Sequence, residues 1–438
     1  MNGMVRGLDF KGNKRPVFVD GARTSFVKSF GVFEDCDSLE LFSRVVDGLV
    51  RKSEVDPQEV NEVIAGAVIP QPKNPNVGRD AAIVAGLPVS VHGYTLNRAC
   101  TSSLQTIADA AKTIAFGHAN LIVAGGVECL SDVPIVYSKK ARKFLVKFSK
   151  TKTASQRFSM LKEFSAKAWL PTPPGLTETL TGFTMGEHAE MMAKIWGISR
   201  EAQDKFAEAS HHKASAAQKD GRLAQEIVPV WPGPKHVECI DQDNIIRADT
   251  NFDSLSKLRP AFDKKFGTIT AGNASALTDG AAAALICDEA RAKSLGLVPK
   301  ALIRDFIFVG VQPHPQLLIG PALAIPMLLN RNGLSLDQID RFEIHEAFAA
   351  QVLCCLAAME SKEFNEKNFG SSKPFGSIPA EKLNVNGGAI AVGHPFGATG
   401  ARLVTSLSNE LHRSKTKLGV IAICAAGGMS GAMLIEAI

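Results

Sequence analysis

Two cysteines and two histidines of this 438-residue chain lie beside turns and helix starts, where side chains can do chemistry. Cys100 sits in "NRACTSS", just ahead of the amphipathic stretch "SSLQTIADAAKTIAFG". A helix beginning there puts the sulfur near unpaired backbone N–H groups and the positive end of the helix dipole. Both lower a thiol pKa and favour the nucleophilic thiolate. Thr101, Ser102 and Ser103 are candidates to cap that helix. His394 lies between Gly393 and Pro395 in "GHPFGATG", a constrained loop suited to a general base or hydrogen-bond donor. His345 opens "HEAFAA" after the apolar "IDRFEI", and both it and Glu346 could face a pocket. Cys424 opens "CAAGG". "TAGNASALTDGAAA", Thr270 to Ala283, is a polar turn entering an Ala-rich segment. Each also has a bland reading as a core cysteine, a hydrogen-bonded buried histidine or an ordinary turn.

Competing chemistries are disfavoured. "GHPFGATG" is not G-x-G-x-x-G, and no acidic residue follows at the distance a dinucleotide site needs. "HEAFA" is not H-E-x-x-H, and no CxxC pair or His/Cys cluster has zinc spacing, so no metal is expected. The eight cysteines (Cys36, Cys100, Cys129, Cys239, Cys287, Cys354, Cys355 and Cys424) read as reduced thiols, most of them buried.

The elements that must position these residues follow an α/β alternation. "RPVFVDG" and "EVIAGAVI" read as strands, and "SLELFSRVVDGLVRKS" as a helix. The segment after Cys100 reads as a helix, then "ANLIVAGGVE" as a strand ending in Gly125-Gly126. The second half repeats this: a strand end, the Gly-rich turn Gly393 to Gly400, a helix, and a strand ending in Gly427-Gly428. Duplicated α/β units follow, with Cys100 and His394 at corresponding strand-to-helix junctions. Gly419 to Ile435 carries no charge over 17 residues, but Gly427 and Gly428 split it into two buried strands rather than a membrane span.

From about Ser131 to Pro260 the pattern loosens around "LPTPPG" and "PVWPGPK". Lys139 to Lys167 holds ten Lys/Arg against one acid, Glu163, in a chain of net charge only +5. That inserted region reads as a solvated face, or as a surface for phosphates, an anionic membrane or a partner subunit. The small net charge, 45% hydrophobic and 21% charged composition describe a soluble globular protein with no call for nucleic acid. The N-terminus lacks the apolar core of a secretion signal, and an early strand argues against a transit peptide. Cytoplasmic placement is expected, the bacterial cytosol first, with the mitochondrion as the other compartment.

Five segments in order, "NRACTSS", "TAGNASALTDGAAA", "HEAFAA", "NVNGGAIAVGHPFGATGAR" and "CAAGG", resemble the signatures of thiolases, coenzyme A-dependent enzymes that cleave or form 3-oxoacyl thioesters. The likeness runs from about Arg15 to the C-terminus. His345 stands where short-chain acetoacetyl thiolases usually carry Asn, and Thr184 where they carry a substrate-side His. With the basic insert, this is similar to the thiolase subunits of fatty-acid β-oxidation complexes, bacterial or of the mitochondrial trifunctional protein type. Ser430 departs from the Gly of many relatives.

The resemblance implies the thiolase fold: two βαβαβαββ halves in an αβαβα five-layer arrangement with an inserted loop domain. Its implied boundaries are 1–130 with 261–288, then 131–260, then 289–438. It implies a 3-ketoacyl-CoA thiolase, with Cys100 as nucleophile, His394 as its activating base, Cys424 as acid and base, and His345 with His394 holding the thioester oxygen. The backbone N–H groups of Cys100 and Ala426 would form the second oxyanion site. Ser275 and Met185 would contact CoA or substrate. No cofactor beyond CoA as substrate, a homodimer or dimer-based tetramer, and a complex with a hydratase/dehydrogenase subunit are implied by the same likeness. An acetoacetyl-CoA thiolase, a condensing enzyme on the same fold and a non-catalytic lipid-binding or scaffold relative are the alternatives.

Overall fold

The computed structural model describes residues 14–160, 169–170, 177–234 and 236–438. Lys162, Glu163 and Lys167 of the basic stretch, and most of "LPTPPG", lie outside the described residues.

The first half runs β1 (Pro16–Arg23), β2 (Val27–Lys28), α1 (Ser38–Lys52), β3 (Glu62–Gly66), α2 (Val77–Val84), β4 (His92–Leu96), α3 (Ser102–Ala115) and β5 (Leu121–Glu128). The insert holds α4 (Lys139–Lys150), α5 (Ala154–Met160), α6 (Met185–Trp196), α7 (Arg200–Lys219) and α8 (Phe252–Ser256). β6 (Thr278–Asp288) closes the half. After α9 (Glu289–Ser294) come β7 (Ala301–Gly310), α10 (Pro321–Arg331), β8 (Arg341–Ile344), α11 (Ala349–Glu360), α12 (Lys362–Phe369), α13 (Ala389–Val392), α14 (Thr399–Ser414), β9 (Leu418–Ala425) and β10 (Met429–Ala437).

The strands form one path, β4-β3-β5-β6-β1-β7-β10-β9-β8, with β2 on β6. Only Val17↔Leu302 and Phe18↔Ala301 join the halves through β1 and β7. Period-two alternation distributes each strand between two cores. Val17, Val63 and Val123 face α1 and α2; Phe18, Ile64 and Ile122 face the other way. In the second half Val420, Ala422 and Cys424 face α10 and α11, while Ile421 and Ile423 face inward. The inner core is shared: α3 and α14 lie side by side in it, between the two sheet halves. This is the five-layer thiolase architecture. Strands buried on both faces read as the continuous apolar runs seen in the sequence. α1 illustrates the helices: Asp37 caps it by accepting from the Glu40 N–H, Leu41, Val45 and Leu49 bury one face, and Arg51 and Lys52 meet its negative end.

The duplication differs from the sequence reading in two places. Gly125 and Gly126 do not end β5; the strand continues to Glu128. They are glycines because a Cβ there would overlap the carbonyls of Ala282 and Gly397. Gly427 and Gly428, by contrast, form a true turn, with φ of 79° and 67°. The segment ahead of His394 is the short helix α13, not a strand end. The extended piece corresponding to β4 is reduced to the single bridge Phe342↔Leu383. Residues 129–277, between β5 and β6, have as their counterpart only the turn Ala426–Gly428 between β9 and β10. Among the described residues no helix is long and apolar enough to cross a membrane.

α14 packs so tightly on α3 that a Cβ on Gly400 would overlap the Leu104 backbone. Gly400→Ala is expected to lower stability by about 1–3 kcal/mol, read as a fall in Tm. Gly310→Ala, which faces open space, leaves Tm unchanged.

Candidate active site

Cys100 stands at the tip of a turn made by Ala99, a non-glycine residue at φ 47°. The Asn97 carboxamide holds this turn, accepting from the Ala99 N–H at 2.9 Å and donating to the Val68 carbonyl at 2.8 Å. The expected hydroxyl cap is absent. Thr101 occupies the N-cap position without a side-chain cap bond. Its hydroxyl donates to the Arg98 carbonyl at 2.7 Å, and that of Ser102 donates to the Ala99 carbonyl at 2.6 Å. Ser103 accepts from the Ala401 N–H at 3.0 Å and so links α3 to the start of α14. These hydroxyls stabilise the Cys100 turn and the contact between helices, not the free N–H groups of α3.

The expected lowering of the Cys100 pKa is also corrected. Burial pushes the thiol up to about 12, opposed by the Ala426 N–H, reinforced by the Glu128 carboxylate and opposed by its own N–H. Loss of solvation outweighs the helix start here. Cys424 is buried, and its thiol is held well above the usual range by that burial, then by Cys100 and Cys355. The two reactive-site sulfurs are therefore electrostatic neighbours, both protonated at rest.

His394 follows Gly393 and donates its backbone N–H to the Thr278 hydroxyl at 2.7 Å. Its Nδ1 is 2.6 Å from the Thr399 hydroxyl, on the first residue of α14. Burial, then the Arg402 guanidinium, pull the imidazole down to about 3. His345 follows β8 with its ring centroid 4.0 Å from that of His394. It is fully buried, and among the described residues neither ring nitrogen has a hydrogen-bond partner. Burial, then His394 and Arg402, hold it well below the usual histidine range. Both rings are neutral, one steered by a hydroxyl and one with neither nitrogen partnered among the described residues.

Glu346 does not face a pocket beside His345. Its carboxylate accepts from Ser210 at 2.7 Å, Asn384 at 2.7 Å and the Ile390 N–H at 3.3 Å. It clamps the His345 turn to α7 and to "NVNGG", where a Cβ on Gly388 would overlap the carboxylate. Ser275 is half-buried and donates its N–H to the Ala347 carbonyl at 3.0 Å, which sets it along the His345 turn. Met185 is the first residue of α6, half-buried against the outer core of the second half. Thr184, the position that departs from short-chain thiolases, caps α6 in a reciprocal capping box with Glu187. Ser430 donates to the Ile423 carbonyl at 2.8 Å, behind the Ala426–Gly428 turn.

The sequence reading brought forward Cys100, His345, His394 and Cys424; the fold sets the two imidazole rings together and makes the two sulfurs electrostatic neighbours, with Cys100 ahead of α3 and His394 ahead of α14. It missed Thr399, Asn384 and Glu128. Thr399 and Asn384 lay inside quoted motifs without a task; Glu128 looked like the end of a strand. Thr399→Val removes the group that orients His394 and keeps the volume. It is expected to lower kcat by about ten- to hundredfold, with KM little changed and an unaltered circular-dichroism spectrum.

Two thiols beside two neutral imidazoles are reagents for acyl transfer through a thioester. Residues 16–290 match the family model of the thiolase N-terminal domain and residues 297–437 that of the thiolase C-terminal domain, so the chain belongs to the thiolase family. A 3-ketoacyl-CoA thiolase of Photobacterium profundum is 40% identical over 433 residues, 99% of each chain. A probable 3-ketoacyl-CoA thiolase of Caenorhabditis elegans is 44% identical over 96% of this chain and 94% of its own. The crystal structure of the Bacillus anthracis acetyl-CoA acetyltransferase superposes with a TM-score of 0.82 at 34% identity, covering 97% of this chain and 99% of that one.

Proposed function

We propose that this chain is a 3-ketoacyl-CoA thiolase, an acetyl-CoA C-acyltransferase that cleaves 3-oxoacyl-CoA with CoA during fatty-acid β-oxidation. The carrying observation is the convergence of Cys100, Cys424, His345 and His394 at the paired starts of α3 and α14, in a chain about 40% identical to proteins of that name.

The protonation states fit the reaction. Cys100 attacks the 3-keto carbon as neutral His394 takes its proton, so no free thiolate is needed at rest. The bond between C2 and C3 breaks, leaving an acyl-Cys100 thioester and the enolate of acetyl-CoA. Cys424, with its raised pKa, keeps its proton until that carbanion forms and then donates it. The resulting thiolate is a strong base. It takes the proton of incoming CoA, whose sulfur attacks the thioester, and His394 returns its proton to Cys100. His345 and His394 stabilise the enolate oxygen, and the N–H groups of Cys100 and Ala426 the oxyanion at the attacked carbon. Ser275 and Met185 contact the CoA side. No step calls for a metal or redox cofactor.

The division proposed is 1–130 with 261–288, 131–260 as the insert, and 289–438. The exposed basic residues of α4 lie beside exposed Leu145, Val146 and Phe158, which supports a surface for a hydratase/dehydrogenase subunit or a membrane. β4 is an edge strand, which supports a homodimer or dimer-based tetramer. The cytosol of a bacterium, or a mitochondrion, suits this role.

Cys100→Ala should lower thiolysis by about 10⁴-fold or more while the Tm stays put. Cys424→Ala should still accept an acyl group from a simple acyl-CoA but lose carbon–carbon chemistry; survival of both half-reactions removes its role. The likeness to an acetyl-CoA acetyltransferase supplies the second reading. Thiolysis of 3-oxoacyl-CoAs of increasing length separates them: activity confined to acetoacetyl-CoA selects the second, and none at any length selects a non-catalytic relative.

A further inference from the structure

Glu128 ends β5 at 2% exposure. Among the described residues no lysine or arginine pairs with its carboxylate. It accepts three backbone N–H groups instead: Val68 at 3.0 Å, Ile69 at 2.9 Å and Gly397 at 3.1 Å. Val68 belongs to the segment that Asn97 fastens to the Cys100 turn. Gly397 lies three residues beyond His394, on the same loop. The carboxylate is thus the junction between the loop of the nucleophile and the loop of the base. The contact leaves no slack, because a Cβ on Gly126 or Gly397 would overlap facing carbonyls. The titratable groups facing it are Asp279 from β6 and the Cys100 thiol at the start of α3.

An ionised carboxylate accepts at both oxygens, whereas a protonated one turns one oxygen into a donor. On Oε2, which accepts from both Val68 and Gly397, the proton would displace one of those two N–H groups. We propose that Glu128 is a positioning residue, which seats the His394 loop against the Cys100 turn when ionised and releases it when protonated. Burial lifts its carboxyl to about 7 against the pull of the Ile69, Val68 and Gly397 N–H groups, with Asp279 adding to the rise. The paired arrangement therefore forms as pH rises through that value and loosens below it.

The role of the pair rests on the thiolase reading; the latch itself does not. The test follows Cys100 alkylation by iodoacetamide, located by peptide mass spectrometry, from about pH 5.5 to about pH 8.5, beside kcat for thiolysis. In the wild type kcat should rise through one inflection near pH 7, and alkylation should break at the same pH from the steady rise of about tenfold per pH unit that a thiol held up to about 12 shows by itself. Glu128→Gln should slow both by about 10²-fold, leave KM within about twofold and abolish the inflection. Glu128→Asp, which keeps an ionisable group on a shorter arm, should keep an inflection at a displaced pH and decides the matter if the Gln variant does not fold. A wild-type profile without the inflection, or the same inflection in Glu128→Gln, overturns the proposal. Wild-type protein that shows the alkylation profile but no thiolysis supports the latch and removes the thiolase reading.

Discussion

Backbone packed against backbone is the constraint on which this molecule depends. α3 and α14 run together through the middle of the protein, and where they start the main chains come closer than any side chain allows. Gly400 meets Leu104, Gly397 meets the Val127 carbonyl, and Gly66 meets Ser102. Cys100 and His394 belong to the loops that feed these two helices. Their proximity is set by glycine contacts, the Ser103–Ala401 hydrogen bond and the Glu128 carboxylate between their loops, not by any direct attraction between them. A rigid scaffold of this kind suits chemistry in which a carbon and two protons change hands within a few ångströms.

The same close packing sets the electrostatics. Solvent loss raises both thiols and lowers both imidazoles, so these four groups are neutral at rest. Charge develops there only when a carbonyl is attacked. Arg402, buried 3.7 Å from Glu343, contributes to the neutral state of both histidines from beneath.

The two cysteines and two histidines stood out in the sequence because a cysteine before a helix and a histidine among glycines are local patterns. The strands and helices were legible for the same reason: apolar runs and period-3.6 faces are written into neighbouring residues. What escaped depends on contacts across the chain. Gly125-Gly126 read as a strand end because glycine usually punctuates; nothing nearby in sequence reveals that Gly397 lies over Gly126. The lowered pKa expected for Cys100 followed from its helix start, and burial reversed it. Glu346 looked like a pocket residue next to His345, yet its partners Ser210 and Asn384 lie far away along the chain. The hydroxyls of "TSS" were read as caps and instead stabilise the turn that presents Cys100.

The shared inner core has a consequence for synthesis of the chain. Phe18, Ile64 and Ile122 of the first half share one inner core with α3 of the same half and with α14, Ile421, Ile423 and Met433 of the second. The last of these to be translated stand near the C-terminus. Until they emerge, the first half can complete its outer core and lay α3 on its inner face, but the part of that face taken by α14 stays open. Such a face invites association with other nascent chains. The halves are thus one cooperative unit despite their repeated architecture, and the ribosome must finish the protein before either half is safe from aggregation.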